Sequence, residues 1–271
     1  KRNQKKMSEN HTRRRHHRGR RSRKKAGIIS NIILVIAVVV FCVSGFQLFK
    51  IGKGYLDGRS EYEKVRDLAV TNPEEKEGFR VDFNALLEVN PDTVGWIRFY
   101  PEPSQINYPI VQGQDNDKYL HQTFSANENT LGAIFLNVDN KADFSDRNSI
   151  IYGHRMKDGS MFRHLQDYEE KSFWEENPYF YIYTPDGKEI TCQIYSYAVV
   201  DATSDVYLTS FADNGAYQEF LNMTKEVSAY DTGVEVTTED TIVTLSTCTS
   251  ASDDHRIIVQ GVKEKEVVLE D

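Results

Sequence analysis

Between Ala26 and Phe49 the chain carries no charged side chain and is dominated by Ile, Val, Leu and Phe. Ile28 to Phe49 is 22 residues, which as a helix at about 1.5 Å per residue reaches roughly 33 Å, the thickness of a bilayer core. A secretory leader has the same basic start and apolar middle. This run is longer than a typical leader core, and no small-x-small cleavage site closes it, so it reads as an uncleaved anchor. Residues 1–25 hold thirteen Lys/Arg and one Glu, while the remainder holds 20 Lys/Arg and 40 Asp/Glu, summing to the net −8. A basic tail could bind nucleic acid. Next to a membrane span it instead places the N-terminus in the cytoplasm by the positive-inside rule. The expectation is a single-pass cell-membrane protein whose acidic remainder is extracellular.

Four segments follow: a basic cytoplasmic tail (1–27), the transmembrane anchor (28–49), an extracellular stalk (50–78) and a folded domain (79–271). In the stalk, Tyr62, Val65, Leu68 and Ala69 recur at helical spacing before Asn72-Pro73 stops them. Asp82 can cap a second helix carrying Phe83, Leu86 and Leu87. After Gly95 the pattern changes to short strands, predicted at 95–99, 106–111, 133–136, 149–152, 179–184, 189–200, 241–247 and 256–262. Pro185-Asp186-Gly187-Lys188 reads as a hairpin turn. Helices are predicted at 115–121, 172–177 and 216–230. About 190 residues suffice for one core, and eight short strands with few helices predict a mainly β, closed eight-stranded barrel with peripheral helices.

Two positions in that domain carry nucleophilic chemistry. Thr244-Leu245-Ser246-Thr247-Cys248 ends a β-branched strand, and Arg256 opens the next one. His154 follows the apolar run Ile150-Ile151-Tyr152-Gly153. One cysteine brought beside one histidine is what acyl transfer through a thioester needs. A buried cysteine that merely packs is the bland alternative for Cys248. His121, His164 and His255 compete with His154. His255 neighbours Arg256, and alternation along a strand turns the two to opposite faces. Arg256 can neutralise an oxyanion, orient a substrate backbone, or pair with Asp253 or Asp254. Cys42 falls in the apolar run and Cys192 in a strand, which is no disulfide framework. No cysteine–histidine cluster or dense oxygen-ligand loop points to a metal.

The stretches TLSTC (244–248) with Arg256, IIYGHRMKDGSMF (150–162), VGWIRF (94–99) and INYPIVQG (106–113) together resemble the sortases, and specifically class B. The resemblance spans roughly residues 80 to 262. It implies a membrane-anchored cysteine transpeptidase of Gram-positive bacteria, with His154, Cys248 and Arg256 as its catalytic residues and no cofactor. The implied partners are secreted proteins with a C-terminal sorting signal, NPxTN-like in this class, and a cell-wall precursor amine. Asn116 and Leu120 on one helical face, Tyr207 and Leu208 before the long helix, and Ser246 and Thr247 beside the nucleophile are the implied substrate contacts. Simple packing is the alternative for each. Two other readings stand beside the wall-anchoring enzyme: a pilin-polymerising sortase, and a non-catalytic membrane-anchored binding module with a structural Cys248.

Overall fold

The computed structural model describes residues 16–249 and 254–269. Two units divide at Lys53 and Gly54, and helix α1 (His16–Ala69) contributes to both. Its N-terminal portion is long and apolar enough to cross a membrane, and Ile29 to Phe49 is exposed throughout.

In the second unit eight strands close into a barrel. They are β1 (Thr93–Phe99), β2 (Asn107–Val111), β3 (Ile134–Leu136), β4 (Asn148–Tyr152), β5 (Tyr179–Tyr183), β6 (Lys188–Asp201), β7 (Ile242–Cys248) and β8 (His255–Val268). Their order around the barrel is β8-β6-β5-β1-β2-β3-β4-β7, closing back onto β8. Pairs β2–β3 and β4–β7 are parallel and the others antiparallel. All eight strands lie within a few residues of where the short β-prone runs between turn signals predict them, apart from the C-terminal end of β8. β8 extends past the expected 262 to Val268, pairing Lys263 with Cys192 and Val268 with Lys188. In its charged Lys263-Glu264-Lys265-Glu266 stretch, backbone pairing is joined by an ion pair of Glu266 with Lys188 at 3.0 Å and by the Lys263 ammonium donating to the Phe144 carbonyl.

Most strands are buried on both faces, because helices and loops cover the outside. Trp96, Ile110, Ile134, Ile151, Phe180, Leu245 and Val259 belong to the main core cluster. Outside the sheet, α5 (Asn214–Glu226) lays Tyr217, Phe220 and Leu221 against Tyr195, Ile242 and Val262. That i, i+3, i+4 stripe is worth on the order of 1.5–3 kcal/mol per large side chain as an upper estimate. α5 begins two residues before the expected 216 because Asp213 accepts a hydrogen bond from the Ala216 amide as its N-cap. It stops short of 230 because the Ala229 amide donates to the Tyr197 carbonyl on β6.

The shorter helices also follow their caps. Asp82 accepts from the Ala85 amide to start α2 (Phe83–Val89). α3 covers only Lys118–His121, since Asp115 ties up the Asp117 and Lys118 amides in a turn of its own. α4 is Lys171–Glu176, and the stretch around His164 is a 3-10 turn, Arg163–Glu169. Within the segment expected to be a stalk, Tyr62, Val65 and Ala69 are buried in the core cluster. Leu68 is exposed.

Candidate active site

Cys248 ends β7, and Arg256 is its direct partner across the β7–β8 ladder. Residues in direct register project to the same face, so both side chains leave the sheet on one side, where Arg256 Nη1 donates to the His255 carbonyl at 3.0 Å. Ser246, two residues back, shares that face and hydrogen-bonds the Tyr207 hydroxyl at 2.9 Å. β4 runs parallel to β7 with Tyr152 opposite Ser246, and the Gly153 amide continues the ladder to the Ser246 carbonyl at 3.1 Å. His154 therefore leaves the sheet beside the strand that ends in Cys248. Gly153 is required here, because a Cβ would lie 2.5 Å from Ile134 Cδ1 and 2.8 Å from the Phe162 ring.

His154 Nε2 lies 2.7 Å from the Leu120 carbonyl. A carbonyl only accepts, so this partner assigns the ring hydrogen to Nε2 and leaves Nδ1 as the acceptor of the neutral ring. Gly132, at φ +59°, packs under the same ring: a Cβ would approach His154 Cδ2 to 2.8 Å and the Leu120 carbonyl oxygen to 2.9 Å. The histidine is thus seated between the end of α3 and a left-handed turn that only glycine adopts without strain.

Cys248, His154 and Arg256 line one cleft of about 360 Å³, with Asn116, Leu120, Tyr207, Ser246 and Thr247 around them. Its remaining wall, which the sequence does not single out, is Phe135, Tyr152, Gly153 and Ala202. The Tyr152 ring stacks on Tyr207 at 6.2 Å and leans on Phe135 at 5.2 Å. A tyrosine immediately before Gly-His at a strand end was the available signal. Burial pushes the Tyr207 hydroxyl up to about 12, with the Ser246 hydrogen bond and the Arg256 charge opposing that rise.

The other expected residues lie elsewhere or act differently. Leu208 does not line the cleft; it is 46% exposed, and its carbonyl accepts from Asn148 Nδ2 at 2.9 Å. Asn116 reaches the cleft from the turn ahead of α3 rather than from a helical face, and its Oδ1 accepts from the Val138 amide. Thr247 pairs with Ile257 of the core, and its buried hydroxyl has no hydrogen-bond partner among the described residues. His255 is exposed and absent from the cleft lining; its register partner on β6 is Asp201. His164 is held by Asp167 at 2.7 Å, and exposed His121 faces Asp117 at 3.7 Å. Asp253 lies outside the described residues, while the Asp254 carbonyl accepts from the Ala202 amide. Cys192 is fully buried and unpaired.

Comparison with known proteins identifies the family and the fold. The family model for the Sortase domain matches residues 101–264. Sortase B of Listeria monocytogenes is 35% identical over 209 residues, covering 76% of this chain and 81% of that protein. Sortase B from B. anthracis superposes with a TM-score of 0.69 at 33% identity, over 79% of this chain and 99% of that one. A Staphylococcus aureus sortase B–substrate complex gives 0.65 at 30% identity, over 78% and 97%.

Proposed function

The chain belongs to the sortase family, in its class B branch, and from that premise we propose that Cys248, His154 and Arg256 carry out transpeptidation of a C-terminal sorting signal through a thioester. The observation that carries this reading is the direct cross-strand pairing of Cys248 with Arg256 at a cleft that His154 also lines. His154 Nδ1 takes the thiol proton, and the Leu120 carbonyl on Nε2–H steadies the resulting imidazolium. Cys248 Sγ then adds to the carbonyl carbon of the signal's threonine. The Arg256 guanidinium lies on the nucleophile's face, where it offsets the oxyanion. Collapse breaks the peptide bond, and His154 returns its proton to the departing amine. An incoming amine attacks the thioester, loses a proton to His154 and releases the Cys248 thiolate.

The cleft is open and partly apolar, which suits an extended peptide. Asn116, Leu120, Tyr152 and Tyr207 form its walls, and the signal we assign to it is of the NPxTN type. The amine is assigned to a cell-wall precursor. α1 anchors the enzyme with residues 1–27 in the cytoplasm, 28–49 in the membrane and the barrel outside. Protease added to intact cells should then digest the barrel and spare the basic tail; the reverse pattern would overturn this topology.

The decisive experiment offers the purified chain a panel of sorting-signal peptides, with and without an oligoglycine amine. Intact-mass analysis should reveal an acyl adduct on Cys248 that the amine discharges into a ligated product. Cleavage without an adduct, or no reaction with any peptide, would refute the thioester route.

A further inference from the structure

A second cleft, distinct from the catalytic one and independent of its chemistry, lies between α1 and the loop that follows His154. Its volume is about 160 Å³. Arg59 and Arg66, seven residues apart, stand on one face of α1 and both line it. Gln105 and Ser160 offer an amide and a hydroxyl from the barrel side. The floor is rigid. Tyr62 and Tyr108 meet edge to face at 5.4 Å, Tyr62 Oη donates to the Gly132 carbonyl at 2.7 Å, and Tyr108 Oη accepts from the Met161 amide at 3.1 Å.

The charge balance of this cleft is unusual for its surroundings. From residue 26 onward the chain holds 20 Lys/Arg against 40 Asp/Glu, yet two arginines and one carboxylate line this cleft. That carboxylate, Asp158, is engaged by its own turn, accepting from the Ser160 amide at 3.1 Å and hydroxyl at 2.7 Å. Arg59 holds Glu63 at 3.3 Å, with both side chains more than half exposed (66% and 52%), the kind of surface pair that exchanges at little cost. Half-buried Arg66 makes no hydrogen bond or ion pair with any described residue.

We propose that this cleft is a binding site for a phosphate group, held by the Arg59 and Arg66 guanidiniums with the Gln105 amide beside them and with the Ser160 hydroxyl turning from Asp158 to the anion, Asp158 keeping its bond from the Ser160 amide. Two planar forks plus two neutral donors suit a tetrahedral anion with several acceptor oxygens better than a two-oxygen carboxylate. The phosphate can be free or can belong to a lipid headgroup, since Arg59 follows the end of the apolar run at Phe49 by ten residues.

The test uses the full chain in an uncharged, phosphate-free detergent, titrated with inorganic phosphate at constant ionic strength and followed by calorimetry. We expect saturable one-to-one binding. Arg66→Gln should weaken it about tenfold or more, as losing one hydrogen bond to a charged group does, and Arg66→Lys should recover part of the loss. Ser160→Ala, on the opposite wall, should weaken it several-fold, and serves if an arginine variant fails to fold. Lys64→Gln, on the same helix but outside the cleft, should bind like the parent. In a second arm, short-chain phosphatidylglycerol is added below its micelle concentration. Competition with phosphate identifies a lipid source and absence of competition a free anion, and each supports the site. No saturable binding, or equal affinity in the parent, Arg66→Gln and Ser160→Ala, would overturn the proposal.

Discussion

Arg256 is the direct cross-strand partner of Cys248, whereas its neighbour His255 pairs with Asp201 and projects away from the cleft. One residue of register decides which side chain can serve the thiol, because strand side chains alternate between faces. The nucleophile and its cation are fixed by backbone hydrogen bonds rather than by a mobile loop, which is how a site gains positional accuracy.

Cys248→Ala removes the only atom able to form the thioester, so neither cleavage nor a mass adduct should be detected. Arg256→Lys retains the charge and loses the fork. Its rate should fall on the order of 10²–10³-fold, the range for one lost oxyanion donor, while acyl-enzyme still accumulates slowly on Cys248. Intact mass after long incubation with peptide measures both. Parent rates in Arg256→Lys would mean the guanidinium has no part in the transition state.

The histidine assignment is tested by a pair of variants. His154→Ala should abolish turnover, since the ring lining the cleft is lost. His255→Ala should keep most of it, because His255 is exposed and outside the cleft. Steady-state rates with one peptide decide the matter, and a larger loss in His255→Ala would reverse the assignment.

The barrel strands and the catalytic cleft were legible in the sequence to different depths. Short runs of apolar, β-branched and aromatic residues bounded by turn residues mark all eight strands, and most of them are buried on both faces. The nucleophile, its cation and the histidine sit at strand ends, where the pattern stops abruptly. Less legible was anything set by a cap or by long-range contact. Asp115 shortens α3, and Tyr62 joins the core by way of the Gly132 carbonyl. The Phe135–Tyr152–Tyr207 wall joins three segments far apart in the chain. Thr247 beside Cys248 does line the cleft, while its register partner is the core residue Ile257, a pairing across strands that the sequence alone does not display.

Gly132 offers a test of how the histidine is seated. Its φ is +59°, and a Cβ would stand 2.7 Å from the Tyr119 oxygen, 2.8 Å from His154 Cδ2 and 2.9 Å from the Leu120 oxygen. Backbone oxygens yield little, so the imidazole must move. Gly132→Ala should cost about 1–3 kcal/mol from the backbone conformation and lower kcat on the order of 10–10²-fold through the displaced ring. Gly187→Ala, also at positive φ (+81°) but with nothing within 4 Å, should lose stability and keep kcat. Equal kcat in the two variants would separate Gly132 from the catalytic geometry.

Cys192 should dominate the first loss of stability in alkali. Burial pushes its thiol up to about 12, and the nearby Lys263 charge only partly opposes that. The folded chain therefore keeps this proton after the unfolded chain, with an ordinary thiol pKa of about 8.5, has released it. The stabilisation is complete below that value and declines as pH rises toward about 12, with a limiting slope of about 1.4 kcal/mol per pH unit for one proton. Lys263 is shifted down by burial, so its own contribution runs with the opposite sign. It is present in both proteins when Cys192→Ala is compared with the parent, so the difference in slope reports the thiol. Urea unfolding at pH 8, 9 and 10 should give Cys192→Ala a shallower decline across the upper two values, whatever stability the smaller side chain costs at pH 8. Parallel declines would show that the Cys192 proton is held no more tightly in the folded barrel than in the open chain.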